Sequence, residues 1–295
     1  MNTSKLTVYM DQQGMKMPTT WRCGRFLFDF SKRKRPLVMG ILNATPDSFS
    51  DGGKFRTPSD AIAQAELMIA SGVDLIDIGG ESTRPGAEPI SLQEELDRVL
   101  PVIEGLKNHG VALSIDTYKA ETMRQALHAG VDCVNDIWAL RQPGAIKAVL
   151  ENPDCGVVLM HMQRDPLSMQ FNPQYEDVIA QVKQFLKERA DLLIAQGVEP
   201  QRIAIDPGFG FGKSLEHNLT MLSQFQAFSS LGYPVLAGIS RKSMLGKITG
   251  KDTQDRLAPS VAAAIMAADR GAMIVRVHDV PQTVDSLKLW EAINT

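Results

Sequence analysis

Short apolar runs alternate with amphipathic stretches from residue 36 onward. Eight of the runs are bounded by turn residues and rich in aliphatic side chains, which is typical of strands buried in a parallel sheet. The predicted strands are residues 37–42, 73–78, 111–115, 131–134, 156–160, 203–205, 235–238 and 273–277. The predicted helices between them include residues 58–71 with Thr57 as N-cap, 92–108, 120–129, 176–196 and 258–269.

Eight strand-helix units joined by right-handed crossovers close most simply into a (β/α)8 TIM barrel, an α/β fold. An open doubly wound parallel sheet is the alternative. No linker rich in Ser, Gly or Pro interrupts the series, so residues 36–295 are predicted to form one barrel. Residues 1–35 are expected to be a short N-terminal extension that is partly loose, because the first 20 are mostly polar and lack the features of a secretory signal.

Composition narrows the function classes. The 295 residues are 44% hydrophobic and 22% charged with a net charge of −3, and no apolar run approaches the roughly 20 residues of a membrane span. We therefore expect no membrane partner. We expect no nucleic-acid partner either, because the one dense basic cluster, residues 32–35, is short. Cys23, Cys133 and Cys155 lack C-x-x-C spacing, which indicates packing residues in a reducing compartment and a cytoplasmic localisation.

Polar side chains lie just past each of the eight predicted strands. In a barrel these strand ends converge on one face, where the βα loops build active sites. A single polar strand end usually caps a loop, but the complete set predicts a site. Its members are Asn43, Glu81 with residues 82–84, Asp116, Asn135 with Asp136, His161, Asp206, Arg241 with Lys242, and His278, while Arg276 lies two residues before the last.

The glycine-rich segment 206–213, Asp-Pro-Gly-Phe-Gly-Phe-Gly-Lys, superficially matches a phosphate-binding loop. Pro207 stands where that motif needs glycine and removes an N–H from the cradle. No G-x-G-x-x-G follows the first strand, so the dinucleotide fingerprint is absent. A metal-dependent hydrolase would have paired histidines where Asn43 stands, and a Schiff-base aldolase would depend on Lys242. The sequence disfavours these two classes but leaves them open.

The remaining polar residues divide into two predicted subsites. The carboxylates Asp116 and Asp206, with Asn135, suit a ligand edge rich in N–H donors, such as an aminopyrimidinone. Cations suit phosphate or pyrophosphate, and the strand ends supply Arg84, Lys242 and Arg276.

Two long segments, Met-Gly-Ile-Leu-Asn-Ala-Thr-Pro-Asp-Ser-Phe-Ser-Asp-Gly-Gly at 39–53 and Asp-Ile-Gly-Gly-Glu-Ser-Thr-Arg-Pro-Gly-Ala at 77–87, resemble the signature segments of the dihydropteroate synthase family. Residues 114–119, 134–137, 206–213, 240–242 and 276–278 resemble its remaining motifs in order, and the resemblance spans about residues 36–290. It implies a homodimeric transferase of folate biosynthesis with Mg2+ as cofactor. The implied reaction condenses 6-hydroxymethyl-7,8-dihydropterin pyrophosphate with p-aminobenzoate to give 7,8-dihydropteroate and pyrophosphate.

The resemblance also implies the site residues. Those of the pterin pocket are Asp116, Asn135, Ile137, Met162, Asp206, Gly238, Lys242 and Arg276. Those of the pyrophosphate site are Asn43, Arg84, Arg276 and His278, with Asn43 also a Mg2+ ligand. Those of the p-aminobenzoate site are Phe49, Thr83, Pro85, Phe211, Lys242 and Ser243, covered by the loop at 48–56 that the glycine pair at 52–53 makes mobile. The implied catalytic residues are Asn43, Arg84, Asp116, Lys242, Arg276 and His278.

The reaction implied by the resemblance needs little acid-base chemistry. Pyrophosphate is a good leaving group and the conjugated pterin spreads positive charge, so a dissociative displacement is expected. Two alternatives remain at this stage. A methyltetrahydrofolate-binding methyltransferase domain would have little use for the pyrophosphate residues, and a non-catalytic pterin-binding paralogue is disfavoured by the motifs.

Overall fold

The computed structural model describes residues 8–10, 16–45, 57–82, 88–165, 169 and 171–294. Its strands and helices alternate after residue 36, in the order that the hydrophobic pattern predicts. The strands are β1 Val8–Met10, β2 Lys16–Pro18, β3 Thr20–Cys23, β4 Phe26–Asp29, β5 Leu37–Asn43, β6 Leu75–Gly79, β7 Ala112–Asp116, β8 Cys133–Asp136, β9 Gly156–Met160, β10 Ile203–Asp206, β11 Leu236–Ala237 and β12 Ile274–Val277. The helices are α1 Pro58–Ala70, α2 Leu92–Leu106, α3 Ala120–Ala129, α4 Ala145–Leu150, α5 Val178–Ala195, α6 Leu215–Ser223, α7 Ser243–Thr249, α8 Leu257–Ala268 and α9 Val280–Ile293.

The eight strands β5 to β12 form one parallel sheet in the order β10-β9-β8-β7-β6-β5-β12-β11. Its two edges meet at a parallel bridge between Ile205 and Val235, and the Ile205 N–H donates to the carbonyl of Pro234 at 2.9 Å. The predicted (β/α)8 TIM barrel is confirmed, and the open doubly wound sheet is wrong. The strands predicted at 73–78 and 131–134 begin two residues later in the structure, at Leu75 and Cys133. Val73 and Val131 are buried, but they lie outside the hydrogen-bonded strands.

Helix α1 begins where the sequence predicts. The Thr57 hydroxyl accepts the Asp60 N–H at 3.3 Å, and the Asp60 carboxylate accepts the Thr57 N–H at 2.9 Å, which makes a capping box. Helix α3 ends at Ala129 and is capped by Gly130, whose φ of 114° a residue with a side chain rarely adopts. Across the described residues, every helix is too short or too polar to cross a bilayer.

Inward-facing side chains fill the barrel in layers. Alternate residues of a strand point to the same side, so a residue two positions beyond an inward apolar residue also faces inward. The apolar layer at the amino-terminal end consists of Leu37, Met39, Leu75, Ala112, Cys133, Val158, Ala204, Leu236 and Ile274. Two positions further along, the inward residues include Asp77, Asn135, Met160, Asp206, Gly238 and Arg276. The barrel therefore changes from apolar to polar towards the carboxyl ends of its strands.

The hairpin of β3 and β4 covers the apolar end of the barrel. Trp21 is fully buried against the apolar layer, and its Nε1 donates to the Arg202 carbonyl at 3.0 Å. Arg25 makes two hydrogen bonds, at 2.9 and 2.8 Å, to the carboxylate of buried Asp132. This part of the extension packs against the barrel, because the apolar layer would otherwise face water.

Upstream of the hairpin, β1 pairs antiparallel with β2. The division of the chain at residue 36 stays a prediction. All three cysteines are buried and free, as expected for packing residues.

Candidate active site

Arg276 on β12 reaches across the mouth of the barrel to two carboxylates. Its Nε donates to Asp77 Oδ2 at 2.6 Å, and its Nη2 donates to Asp116 Oδ2 at 2.6 Å. The Asp77 side chain is fully buried, whereas that of Arg276 keeps 19% of its surface exposed. Burial acts to lower the pKa of Arg276, but the attraction of Asp77 and Asp116 raises it overall. The guanidinium is therefore a fixed, permanently charged group facing the opening.

Asp116, at the end of β7, keeps one carboxylate oxygen unused. Burial raises the pKa of Asp116 to about 7, against the opposing attraction of Arg276. Its Oδ1 is buried and has no hydrogen-bond partner among the described residues. Because an unpaired buried oxygen costs free energy, this atom is suited to accept a hydrogen bond from a ligand.

Asp206 ends β10 and is 4% exposed. Its Oδ1 accepts the Gly208 N–H at 2.7 Å. Burial raises the pKa of Asp206, and the nearby Lys242 ammonium counteracts part of that rise. A Cβ at Gly238 would lie 3.7 Å from Asp206 Oδ2, so the absence of a side chain at Gly238 leaves room beside this oxygen.

Lys242 follows β11 and lies between Asp206 and an aromatic ring. It donates to the Phe209 carbonyl, and its Nζ is 4.5 Å from the centroid of the Phe211 ring, a cation–π contact. Burial lowers the pKa of Lys242 to about 8, although the Asp206 carboxylate raises it. Ser243, the next residue, begins α7 and is exposed. The predicted residues Asp206, Gly238, Lys242 and Phe211 thus come together on one side of the mouth.

The glycine-rich loop after β10 is held by its own lysine. A Cβ at Gly208, where φ is 73°, would lie 2.0 Å from the His161 carbonyl oxygen, so the position requires glycine. Lys213 Nζ donates to the carbonyls of Gly208 at 2.9 Å and Phe211 at 3.0 Å, and lies 2.9 Å from His161 Nδ1. Lys213 is 3% exposed, and its ammonium therefore stabilises the loop instead of facing a phosphate.

An apolar wall completes the mouth. The predicted residues Ile137 and Met162 are buried in one cluster with Met160 and Met169, and Phe211 packs against it. A flat ring has apolar contacts available on this side and hydrogen-bonding groups on the other.

Asn43 and His278 lie at the ends of neighbouring strands, β5 and β12. A Cβ at Gly79 would lie 3.8 Å from Asn43 Oδ1 and 3.9 Å from Asp116 Oδ2, so this glycine keeps the space between the two side chains open. His278 is half-buried, and its Nδ1 lies 3.0 Å from the hydroxyl of Ser240.

Other strand-end residues have structural partners instead. Arg241 makes two hydrogen bonds, at 3.1 and 2.5 Å, to the Asp279 carboxylate. Asp136 accepts the N–H groups of the turn that follows β8, and Glu81 accepts from Tyr118 and Lys119. Phe49, Thr83, Arg84, Pro85 and the loop at 48–56 lie outside the described residues, so their roles stay predictions.

Two residues of the site escaped the sequence analysis. Asp77 lies inside β6 and Met160 is the last residue of β9, whereas the polar residues singled out in the sequence lie past the predicted strands, apart from Arg276. The signal for Asp77 was present, because a carboxylate within an apolar strand needs a buried partner. Asp77 and Gly79 are two positions apart in one strand, so their side chains face the same way. Because Gly79 lies at the barrel mouth, Asp77 also faces inward.

Comparison with known proteins agrees with this geometry. The sequence model of the pterin binding enzyme family matches residues 39–278. The dihydropteroate synthase of Neisseria meningitidis serogroup C is 48% identical over 277 residues, 92% of this chain and 97% of that protein. That of Escherichia coli K12 is 46% identical over 258 residues, 87% of this chain and 91% of that protein.

Solved structures give the same result. Burkholderia cenocepacia dihydropteroate synthase complexed with 7,8-dihydropteroate is 51% identical, with a TM-score of 0.85 over 94% of this chain and 97% of that one. The Yersinia pestis enzyme in a sulfonamide drug complex is 44% identical, with a TM-score of 0.88 over 93% and 98%. The Xanthomonas albilineans enzyme with 4-aminobenzoic acid is 47% identical, with a TM-score of 0.87 over 94% and 98%. The chain belongs to the dihydropteroate synthase family of pterin-binding enzymes.

Proposed function

We propose that this barrel condenses 6-hydroxymethyl-7,8-dihydropterin pyrophosphate with p-aminobenzoate, giving 7,8-dihydropteroate and pyrophosphate for folate biosynthesis. The observation that carries the proposal is Arg276, held between Asp77 and Asp116 in the same mouth as Asp206 and Lys242. The relatives compared above are synthases, and two of them bind 7,8-dihydropteroate and 4-aminobenzoic acid. They favour this reaction over the methyltransferase and non-catalytic alternatives.

In this proposal Asp206 accepts the 2-amino and N3–H edge of the pterin. The room beside its Oδ2 supports that role, because one carboxylate matches two adjacent N–H donors. Asp116 and Asn135 bind further ring atoms, and Lys242 completes the polar side. Ile137 and Met162 provide the apolar wall, and Gly238 leaves space for the ring.

Pyrophosphate is proposed to lie against Arg276, His278 and Asn43, together with Arg84. In the described part of the chain no three His, Cys, Asp or Glu side chains are grouped to hold a metal ion. Mg2+ still fits, because it commonly binds one or two protein oxygens plus substrate phosphates, and Asn43 Oδ1 borders the space kept open by Gly79. When bound, Mg2+ would offset negative charge on the leaving group.

In the reaction itself the carbon–oxygen bond to pyrophosphate breaks first and leaves positive charge on the pterin, and the arylamine nitrogen then bonds to the exocyclic carbon. The amine proton passes to solvent. Arg276 stabilises the departing negative charge, and the carboxylates of Asp116 and Asp206 stabilise positive charge spread over the pterin. Phe211, Lys242 and Ser243, with Phe49, Thr83 and Pro85, would position p-aminobenzoate and exclude water.

The decisive experiment is to assay the purified protein with the pterin pyrophosphate, p-aminobenzoate and Mg2+. Formation of no dihydropteroate contradicts the proposal. Arg276→Ala and Asp206→Ala are each expected to abolish turnover while the circular dichroism spectrum stays that of the wild type. Lys187→Ala, which removes an ammonium from the outer surface of α5, is the control and should keep full activity.

We also propose that the enzyme is a cytoplasmic homodimer. Buried free thiols fit a reducing compartment. The outer face of α8 is apolar, with Met266 49% exposed and with Ala258 and Ala262 exposed on the same side of the helix. An apolar helix face of this kind fits contact with a second copy.

A further inference from the structure

We propose that Asp77 is a positioning residue for the reaction, holding Arg276 and Asn135 in place through a single carboxylate oxygen. The inference rests on the proposed function. Asp77 Oδ2 accepts from Arg276 Nε at 2.6 Å and from Asn135 Nδ2 at 2.9 Å. One oxygen therefore connects a residue assigned to pyrophosphate with a residue assigned to the pterin.

The position of Asp77 along β6 explains its depth. Leu75 belongs to the apolar layer that the hairpin covers, and Gly79 lies at the mouth. Asp77 lies between them on the same inward face, and its side chain is fully buried. A buried carboxylate is strongly disfavoured without a charged partner, so Asp77 and Arg276 depend on each other.

Asp77 determines how Arg276 uses its donors. A guanidinium has a planar fork that readily binds one carboxylate through two hydrogen bonds. Here the fork is divided, with Nε on Asp77 and Nη2 on Asp116, while Nη1 takes part in neither bond. If Asp77 did not hold Nε, Arg276 could bind both oxygens of Asp116. The division keeps Asp116 Oδ1 unpaired among the described residues, and it fixes the plane of the cation.

Asp77 also orients the amide of Asn135. Because Nδ2 donates to Asp77, the amide oxygen points away from this carboxylate and is presented as an acceptor. Without that bond the amide would be free to rotate and present its donor instead. Asp77 thus decides whether Asn135 presents an acceptor or a donor to the pterin. It also fixes the direction in which Arg276 faces pyrophosphate.

The test uses Asp77→Asn, which keeps the size of the side chain and removes its charge. Titration calorimetry with two probes, inorganic pyrophosphate plus Mg2+ and 6-hydroxymethylpterin, separates the two contacts. We expect affinity for each probe to fall by on the order of 10-fold to 100-fold, as for other residues that orient a binding group. The KM for p-aminobenzoate should change less than about threefold, because Phe211 and Lys242 do not bond to Asp77. Probe affinities within about twofold of wild type would overturn the inference, and so would an equal loss for p-aminobenzoate.

Asp132→Asn is the matched control. Asp132 is also a buried carboxylate paired with an arginine, but it lies at the opposite end of the barrel with Arg25. The control should lower stability without weakening either probe. If it weakens both probes as Asp77→Asn does, loss of a buried ion pair explains the effect and the positioning role is wrong.

Two further variants keep the inference testable if Asp77→Asn folds poorly. Asp77→Glu keeps the charge but moves the oxygen by one methylene, and wild-type affinities in this variant would overturn a role that depends on position. The double variant Asp77→Asn/Arg276→Lys should bind pyrophosphate no more weakly than Arg276→Lys alone, because both changes act through the same group. Losses that multiply would contradict the inference. These binding measurements stand apart from the turnover assay, so a protein without synthase activity would overturn the proposed function and not this result.

Discussion

The ionisation of Lys242 is expected to limit the rate at alkaline pH. Burial lowers the pKa of Lys242 from 10.5 to about 8, against the opposing attraction of Asp206. Below pH 8 the ammonium balances Asp206 and lies over the Phe211 ring. Above pH 8 the neutral amine can do neither, so kcat/KM for the pterin pyrophosphate should fall as pH rises.

The size of the expected decrease in kcat/KM follows from the pKa of Lys242. The difference between 10.5 and about 8 corresponds to roughly 3 kcal/mol by which the folded environment favours the neutral amine. If only the charged form is active, kcat/KM should decrease by about tenfold for each pH unit above the pKa. Lys242→Arg keeps its charge in this range, because a guanidinium has a pKa above about 12. The variant should be slower overall but should lose the alkaline decrease.

Initial rates at low pterin pyrophosphate and saturating p-aminobenzoate, measured between about pH 6.5 and 9.5 at constant ionic strength, report the ionisations of the free enzyme. Arg276 stays charged throughout, since Asp77 and Asp116 raise its pKa further. A flat profile above pH 8 in the wild type would refute the reasoning. An alkaline decrease that persists in Lys242→Arg would assign the ionisation to another group.

Three other changes test separate parts of the structure. Gly238→Val should raise the KM for the pterin pyrophosphate by about tenfold or more, because the new side chain fills space beside Asp206. The melting temperature should change little. An unchanged KM would mean that no ligand approaches Gly238. Trp21→Ala should lower the free energy of unfolding by about 3–5 kcal/mol in denaturant titrations, with Phe171→Ala, which alters an exposed ring, as the neutral control. A small loss would show that the hairpin does not stabilise the barrel. Met266→Glu should give a monomer in analytical ultracentrifugation, and a dimer that persists would place the interface elsewhere.

The strand ends were predictable because they depend on local periodicity. Asp116 and Asp206 follow apolar runs of strand length, so their places at the barrel mouth follow once the fold is known. The hairpin that covers the other end was not predictable in the same way. Trp21 and Phe30 lie in a short segment without a repeated pattern, and their burial depends on an apolar surface made by eight separate strands.

Lys213 and Asp77 show a different limit of prediction from sequence. A lysine after three glycines resembles a phosphate ligand, and only the folded loop shows its ammonium bound to the carbonyls of Gly208 and Phe211. Asp77 stands inside an apolar run, where sequence alone indicates a buried charge but does not indicate its partner.

The sequence by itself determined the eight strands, the cap of α1 and the kinds of side chain at the barrel mouth. Each of these depends on residues a few positions apart. Only the tertiary structure decided that Arg276 bonds to Asp77, 199 residues away, and to Asp116, 160 residues away. Closure of the sheet brings β12 across from β6 and β7, and no local pattern records which carboxylates then come within reach of the guanidinium. The chemical groups are encoded locally, and barrel closure selects their partners.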